Sequence, residues 1–195
     1  FIGNYSSGKM GFALAEACAE RGAEVTLVAG PVSLKTHHPA IKRIDVESAG
    51  EMYQAAMTAF PSSDAAILCA AVADYRPENA SEQKIKRETE GEMTLHLVPN
   101  PDIAASLGAI KREGQVMVGF ALETNDEATH AEGKLKRKNL DFIVLNSLRD
   151  QGAGFRCDTN KITIIDNAGG VTSYPLKTKR EVACDIVNKL VTLLK

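Results

Sequence analysis

The chain has 195 residues, which is enough for one domain with a core that needs neither disulfides nor metal. Its 23 Lys and Arg against 25 Asp and Glu give a net charge of -2, which argues against a nucleic-acid coat or a basic membrane-surface protein. No apolar run is long enough to span a bilayer, no signal peptide is visible, and the four Cys lie far apart. We therefore expect a cytoplasmic protein whose partners are neither nucleic acids nor membranes.

Helices and strands alternate in the first part of the chain. Ser6 or Ser7 is a suitable cap for the first helix, and the continuous apolar run after Ser63 is typical of a strand covered on both faces. The predicted elements are a helix from Ser6 or Ser7 to about Arg21, strands at Glu24–Pro31 and Ile41–Val46, a helix at Ser48–Phe60 and a strand at Asp64–Asp74.

The alternation is then interrupted and resumes. Between Tyr75 and Val98, a charged segment followed by alternating apolar residues predicts a hairpin that leaves the main sheet. Asn100 is expected to cap the next helix, with Pro101 in its first turn. The elements predicted after the hairpin are a helix at Asn100–Gly114, a strand at Gln115–Ala121, a helix at Asn125–Lys138, strands at Asp141–Asn146, Lys161–Asp166 and near Ser173, and a closing helix from about Lys179.

This order of elements predicts the fold class. Strands that alternate with helices imply right-handed crossovers and a mostly parallel sheet. We expect an α/β protein with a Rossmann-like three-layer fold, and a single domain over residues 1–195 because neither an internal repeat nor a linker is visible. Ligands of such sheets bind beyond the carboxyl ends of the strands, so a phosphate-bearing ligand is expected there.

The Gly-rich segment GNYSSGKMG, residues 3–11, matches two nucleotide-binding templates incompletely. As a G-x-x-x-x-G-K phosphate loop, it has Met10 where a magnesium-binding Ser or Thr belongs. As a dinucleotide-binding motif, it supplies a Gly-rich turn that opens a helix, but it does not complete the motif. Both templates place backbone N–H groups at a helix N-terminus, where an anion binds. A phosphate-loop NTPase, a short-chain dehydrogenase using Tyr5 and Lys9, and a non-enzymatic nucleotide-binding module remain as alternatives.

Three lysines are candidates for binding phosphate. Lys134 and Lys138 are four residues apart on one helix face, which suits a polyphosphate but also a solvated basic helix end. Lys84 lies in an extended segment, where a charge also protects an edge strand from aggregation. Spacing alone favours the structural explanations.

Three further residues have two explanations each. Asp74, at a strand end, suits magnesium or a hydroxyl group, or caps a turn. Asn4 suits orientation of a reacting carbonyl, or belongs to a turn. Phe120 suits stacking on a base, or fills the core.

Several motifs in order carry a resemblance to a known family. They are NYSSGKMGFALAEACAERGAEVTLVAGPVSL, CAAVADYRP, KIKR, NPDIAASLG, VGFALET, KLKRKNLDFIVLN and GAGF followed by TN. Together they cover essentially the whole chain, and they resemble phosphopantothenoylcysteine synthetase, the CTP-using bacterial phosphopantothenate–cysteine ligase of coenzyme A synthesis.

The resemblance implies a reaction and a set of residues. The carboxylate of 4'-phosphopantothenate is expected to attack the α-phosphate of CTP, and the amino group of L-cysteine then displaces CMP from the acyl-cytidylate. The implied catalytic residues are Asn4 and Lys84. The implied CTP contacts are Leu68, Cys69, Ala70, Asp74, Lys84, Pro101, Asp102, Ile103, Ala104, Phe120, Lys134 and Lys138.

The resemblance also implies cofactors and partners. Mg²⁺ is expected mainly on the CTP phosphates, with Asp74 as a further metal ligand, and no FMN is expected on this domain. A homodimer is implied, with the hairpin at residues 75–98 used for dimerisation. The family's first strand is expected upstream of residue 1. A flavin-dependent phosphopantothenoylcysteine decarboxylase is the expected fused or assembled partner.

Overall fold

The structure is a computed structural model that describes residues 3–4, 6–79, 94–123, 127–147 and 157–194. Its helices are α1 (Lys9–Ala19), α2 (Ala49–Ala59), α3 (Ile103–Ile110), α4 (Glu127–Arg137) and α5 (Lys179–Leu193). Its strands are β1 (Val25–Ala29), β2 (Ile41–Asp45), β3 (Ala65–Leu68), β4 (Tyr75–Pro77), β5 (Leu97–Pro99), β6 (Val116–Glu123), β7 (Phe142–Ser147), β8 (Thr159–Asn160), β9 (Ile162–Asp166), β10 (Val171–Ser173) and β11 (Lys177–Thr178).

A five-stranded sheet forms the centre of the described structure, in the order β10-β9-β7-β6-β3. Strands β3, β6 and β7 are parallel, whereas β9 and β10 join antiparallel. Strands β1 and β2 form a separate parallel pair. The prediction of a mixed α/β fold with a mostly parallel central sheet is thus confirmed.

The core lies on both faces of this sheet because successive strand residues point to opposite sides. Val118 of β6 and Val144 of β7 pack toward α1 and α5, in a cluster with Leu14 and Ile186. Met117, Ile143 and Leu145 face the other way and pack with residues of α3 and α4, including Leu107 and Leu135. The helices therefore cover the sheet on two sides.

Two predicted helix starts are corrected by the structure. The first helix begins at Lys9 with Gly8 as its N-cap at φ 77°, and within the described part of the chain no side chain caps the helix. Helix α3 is capped by Asp102 rather than Asn100, since the Asp102 carboxylate accepts from the Ala105 amide at 3.0 Å. The Asn100 side chain instead donates to the Ala73 carbonyl at 2.8 Å.

The segment between β3 and α3 contains a short antiparallel pair. Strands β4 and β5 flank residues 80–93, which lie outside the described ranges. The strand predicted at Asp64–Asp74 is shorter in the structure and ends at Leu68, after which Cys69–Ala73 form a loop. Across the described ranges, no helix combines the length and the apolar character needed to cross a membrane.

Candidate functional site

A continuous cavity of about 2390 Å³ runs along the carboxyl ends of the parallel strands and between β1 and β3. All of the predicted site residues that the structure describes line this cavity. They are Asn4, Leu68, Cys69, Ala70, Asp74, Pro101, Asp102, Ile103, Ala104, Phe120, Lys134 and Lys138. Lys84, the remaining predicted residue, lies outside the described ranges. We refer to the part of the cavity around Asn4, Ala71, Asp102 and Lys134 as the rim cleft.

The N-terminus of α1 opens onto the rim cleft. Asn4 donates from its side-chain amide to the Ala71 carbonyl at 3.1 Å, which joins the segment before α1 to the loop after β3. Among the described residues, no side chain caps α1, although the Gly8 amide donates to the Ser6 hydroxyl at 3.4 Å, and the first turn contains no acidic residue. The amide groups of a helix N-terminus attract anions, so this end of the cleft suits a phosphate or carboxylate group.

Lys9 does not occupy the role of a phosphate-loop lysine. Its ammonium group lies 2.6 Å from the Asp158 carboxylate, so its charge is already paired. The hydrogen bond from Lys9 is the largest cause that lowers the pKa of Asp158. Together with Met10 in the position of the magnesium-binding hydroxyl, this ion pair argues against a phosphate-loop NTPase.

The basic side of the rim cleft is formed by α4. Lys134 and Lys138 are half-buried and line the cavity one helical turn apart, while Leu135 packs into the core. Lys138 lies 3.0 Å from the Asp102 carboxylate, so the two predicted ligand residues pair with each other.

Asp102 is held in its charged form by this arrangement. Partial burial raises the pKa of the carboxyl group, but the hydrogen bond from Ala105 and the nearby Lys138 outweigh it and leave the pKa below its ordinary value. Asp102 therefore both caps α3 and holds Lys138 at the cleft.

Phe120 and Asp74 each retain a structural role. Phe120 is half-buried and packs against the core cluster that contains Leu14 of α1. It also lines the cavity, so it contributes to both the core and the cleft. The Asp74 side chain is exposed, and its backbone carbonyl accepts from the Asn100 amide at 2.8 Å. Within the described ranges, no group of three or more His, Cys, Asp or Glu is placed to hold a metal ion.

Cys69 follows β3 directly and faces the cavity. Burial raises the pKa of its thiol to about 12, so the thiol stays protonated at neutral pH. Cys69 therefore contributes apolar surface and backbone groups to the cleft rather than a thiolate.

Lys179 and Asn160 line the cavity and were missed by the sequence reasoning. Lys179 is 7% exposed, donates to the Cys157 carbonyl, and has a pKa that burial lowers. Asn160 is buried and donates to the Asn146 side chain at 2.8 Å. Asn146 ends a predicted strand and Asn160 belongs to the TN motif. These two positions are the features of the sequence from which the asparagine pair could have been predicted.

The fold and the cleft define an α/β domain with a site suited to an anionic ligand. Residues 1–194 match the family described as DNA/pantothenate metabolism flavoprotein C-terminal domain, and the chain belongs to this family.

Two curated relatives illustrate the family. A protein of an unknown prokaryotic organism named cysteine/cysteine sulfinic acid decarboxylase is 58% identical over 194 residues, covering 100% of this chain and 54% of the relative. The coenzyme A biosynthesis bifunctional protein CoaBC of Vibrio parahaemolyticus is 47% identical over 195 residues, covering 100% of this chain and 48% of the relative. The chain thus spans about half the length of the curated relatives it matches.

A solved structure agrees in fold. The crystal structure of the C-terminal domain of a coenzyme A biosynthesis bifunctional protein CoaBC superposes with a TM-score of 0.81 at 37% identity, covering 98% of this chain and 85% of that chain. A flavoprotein structure from Streptococcus pneumoniae, at 20% identity and a TM-score of 0.80, shows the same fold.

These findings correct the activity expected from the motifs. The family is described as a flavoprotein and the relative at 58% identity is named a decarboxylase, whereas the expectation was a CTP-dependent phosphopantothenate–cysteine ligase. The expected ligase activity is therefore wrong. The cofactors expected with it, CTP and Mg²⁺ without FMN, are wrong as well. The physical reason is that a helix N-terminus and lysines recognise phosphate, which many different ligands share. Coenzyme A biosynthesis fits the names of the relatives.

Proposed function

We propose that this domain binds a phosphate-bearing ligand of nucleotide size in the rim cleft, as part of a protein of coenzyme A biosynthesis. The observation that carries the proposal is the hydrogen bond from Asn4 to Ala71, which ties the segment before α1 to the loop after β3 and so brings the N-terminus of α1 to the carboxyl end of that strand. This is the edge at which open parallel sheets bind their ligands.

The charges around the cleft support an anionic ligand. Gly8 at the positive end of the α1 dipole, Lys134 and Lys138 all line the cavity. Lys138 is already held by Asp102, so Lys134 is the side chain we assign to the ligand's phosphate.

Flavin mononucleotide is the first ligand to test, because the family is described as a flavoprotein. We assign its phosphate to the N-terminus of α1 and to Lys134, which both line the cavity. For its flat ring, the described lining offers the half-buried Phe120 and the small side chains of Ala70 and Ala71. When bound, a flavin supplies redox chemistry, while the chain's own residues hold its phosphate and exclude water from the ring.

Binding can be measured by titrating the purified chain with flavin mononucleotide and with riboflavin, which lacks the phosphate. We expect flavin mononucleotide to bind at least about tenfold more tightly, since a charge-assisted contact contributes about 1.5–3 kcal/mol. Lys134→Gln should remove most of this difference, whereas Lys136→Gln, on an exposed part of α4, should not.

The same titration is run with 4'-phosphopantothenate and the ribonucleoside triphosphates. If another of these phosphate esters binds more tightly than flavin mononucleotide, flavin is overturned as the ligand while the phosphate site stands. If none binds at millimolar concentration, the site itself is refuted.

For the whole protein, we propose decarboxylation of a cysteine-derived acid as the activity to assay, because the relative at 58% identity is named a decarboxylase. Carbon dioxide release is measured with this chain and with the full-length protein side by side. Release by both locates the reaction in this chain, and release by the full-length protein alone locates it in residues outside the chain. No release by either contradicts the proposal.

We further propose that the β4–β5 pair is a surface for self-association. Tyr75 pairs with Pro99 and Pro77 with Leu97, so these four apolar side chains share one face of the pair. Tyr75 is 53% exposed and Leu97 is 44% exposed. An exposed apolar face of this kind is typical of a protein–protein contact.

The homodimer can be tested by light scattering after size exclusion. We expect the wild-type chain to have twice the monomer mass and Leu97→Ser to have the monomer mass. Val171→Ser, at a more exposed apolar position on β10, is the control and should remain dimeric. A monomeric wild-type chain would rule out this surface.

A further inference from the structure

The chain before β8 is held at the cavity by lysines from two helices. Lys9, the first residue of α1, places its ammonium group 2.6 Å from the Asp158 carboxylate. Lys179, the first residue of α5, donates from its ammonium group to the Cys157 carbonyl and from its backbone amide to the Asp158 carbonyl. The chain that leads into Asn160 is therefore fixed beside the N-terminus of α1.

The side chain of Asn160 has a single orientation that satisfies its neighbours. Asn160 is 3% exposed, and its side-chain oxygen accepts from the backbone amide of Lys161 at 3.1 Å. A backbone N–H only donates, so the Asn160 oxygen must face it and the Asn160 NH2 group must point away from it. That NH2 group donates to the side-chain oxygen of Asn146 at 2.8 Å.

The orientation of Asn146 follows from that of Asn160. Because the NH2 group of Asn160 only donates, the oxygen of Asn146 faces it and the NH2 group of Asn146 points away. Asn146 is half-buried and lines the cavity. Within the described ranges, its NH2 group has no hydrogen-bond acceptor from the protein. The backbone N–H of Lys161 thus sets, through two asparagines, a donor group at the cavity.

Asn146 lies on the face of the sheet that α1 covers. Val144, two residues earlier in β7, packs in the core cluster that contains Leu14 of α1, and alternate residues of a strand share one face. Phe120 of the neighbouring strand packs against the same cluster and also lines the cavity. The NH2 group of Asn146 is therefore on the same side of the sheet as α1, at whose N-terminus the phosphate group is assigned.

We propose that Asn160 is a positioning residue for ligand recognition, which turns the Asn146 amide so that its NH2 group donates to the phosphate group bound at α1. This role rests on the proposed phosphate site and adds the residue pair that selects an acceptor group there. A phosphate dianion presents only acceptors, and hydrogen bonds to charged groups are stronger than those between neutral groups. In the opposite orientation, the Asn146 oxygen would face the phosphate oxygens and repel them.

The substitution Asn160→Asp reverses this arrangement. It keeps an oxygen for the Lys161 N–H, but it replaces the NH2 group that faces Asn146 with a second acceptor. Asn146 then bonds to position 160 only through its own NH2 group, which turns its oxygen toward the cavity. We therefore expect this change to exchange a donor for an acceptor at the ligand, although residue 160 itself does not touch the ligand.

The binding test compares flavin mononucleotide with riboflavin, which lacks the phosphate. Asn146→Ala should weaken the binding of flavin mononucleotide at least about tenfold and leave riboflavin unchanged. Asn160→Asp should have the same effect. In the double variant, Asn160→Asp should add less than about twofold, because its effect depends on Asn146. An equal loss with and without Asn146 would mean that the new carboxylate repels the ligand directly, which would overturn the proposal.

Amide exchange of the side chains measures the orientation without any ligand. In the wild-type chain, the NH2 group of Asn146 should exchange with water at least about tenfold faster than that of Asn160, which is buried and hydrogen-bonded. In Asn160→Asp, the exchange of the Asn146 NH2 group should become at least about tenfold slower than in the wild type. Unchanged exchange of Asn146 in this variant would contradict the reorientation.

Asn188→Ala is the matched control, because Asn188 is an exposed residue of α5 whose side chain bonds to Arg21. This change should alter neither the preference for flavin mononucleotide nor the exchange of Asn146. Asn160→Ala is the second variant if Asn160→Asp does not fold, since it introduces no charge. It should reduce the preference at least about threefold when Asn146 is present and leave it unchanged in Asn146→Ala.

The outcomes separate the role of Asn160 from the proposed function. If the wild-type chain binds flavin mononucleotide no more tightly than riboflavin, the phosphate site is refuted, and the role of Asn160 in recognition fails with it. If the wild-type chain prefers flavin mononucleotide and the Asn160 variants keep the full preference, the phosphate site stands and only the role of Asn160 is refuted.

Discussion

At the scale of single residues, the buried polar side chains hold the described structure in register. Gln115 is 5% exposed and donates to the carbonyls of Phe60 and Ser63 at 2.9 and 2.6 Å. Its side-chain oxygen accepts from the Arg112 amide at 2.7 Å. One amide group thus satisfies three backbone groups and ties the end of α2 to the start of β6.

Replacing Gln115 should therefore be costly. Gln115→Leu removes the partner of the Ser63 carbonyl and of the Arg112 amide, while the Phe60 carbonyl keeps its bond from the Ser63 amide at 3.0 Å. Each unsatisfied buried group costs about 1–3 kcal/mol. We expect the free energy of unfolding in urea to fall by about 3 kcal/mol. Gln54→Leu, at an exposed position of α2, is the control and should change it by less than about 0.5 kcal/mol. Similar losses in the two variants would contradict this role of Gln115.

Asp102 gives a residue-level prediction about pH. Its folded pKa lies below the ordinary value of about 3.9, so the ion pair with Lys138 stabilises the fold above that pH. The contribution is lost as the pH falls through the lower folded pKa. Asp102→Asn still provides a helix cap but lacks the charge.

The prediction is measured as the difference in unfolding free energy between wild type and Asp102→Asn from pH 7 to pH 3. The difference should favour the wild type at pH 7 and shrink toward zero at the acid end. A difference that stays constant over this range would show that the charge of Asp102 does not stabilise the fold.

At the scale of elements, the contact between α3 and the end of α4 depends on a glycine. A Cβ atom added at Gly108 would lie 2.2 Å from the backbone oxygen of Lys138, which cannot move without displacing the end of α4. Gly133 lies within α4, and a Cβ atom there meets nothing within 4 Å. The two positions therefore predict opposite effects of the same substitution.

Gly108→Ala should lower the free energy of unfolding by about 3 kcal/mol, because overpacking forces backbone shifts. Gly133→Ala should raise it by up to about 1 kcal/mol, because alanine favours a helix interior over glycine. Thermal and urea unfolding measure both. Because Lys138 lines the rim cleft, Gly108→Ala should also weaken ligand binding, and an unchanged affinity would show that α4 relaxes independently of the cleft.

At the scale of the whole molecule, the division of the parallel strands predicts uneven stability. Among the residues that the structure describes, strand β7 is paired on both edges and its Val144 is fully buried, whereas β1 pairs only with β2. Amide exchange in the chain alone should therefore be slowest in β7 and faster in β1 and β2. Uniform exchange across these strands would mean that the two groups unfold as one unit.

Much of the fold follows from local pattern. The apolar runs ending at Ala29, Ala121 and Asn146 predicted strands β1, β6 and β7, because period and β-branched content are local properties. The site was harder to predict. Sequence order brought Asn4 and Lys138 to one cavity, yet it did not show that Lys138 pairs with Asp102 or that Lys9 pairs with Asp158, since both pairs join distant parts of the chain.

The sequence by itself determined the α/β alternation, because the period of apolar residues is a local property. The activity that its motifs suggested was wrong, and the first helix begins at Lys9 rather than at the predicted Ser6 or Ser7. Only the tertiary structure decided which charges are already paired and which strand edges are open. Those properties arise from contacts across the chain, such as the 149 positions between Lys9 and Asp158, and from hydrogen bonds that a strand makes or lacks on its second edge. The sequence predicted a phosphate-bearing ligand at the carboxyl ends of the strands, whereas only the tertiary structure showed that Lys9 pairs with Asp158 and Lys138 with Asp102.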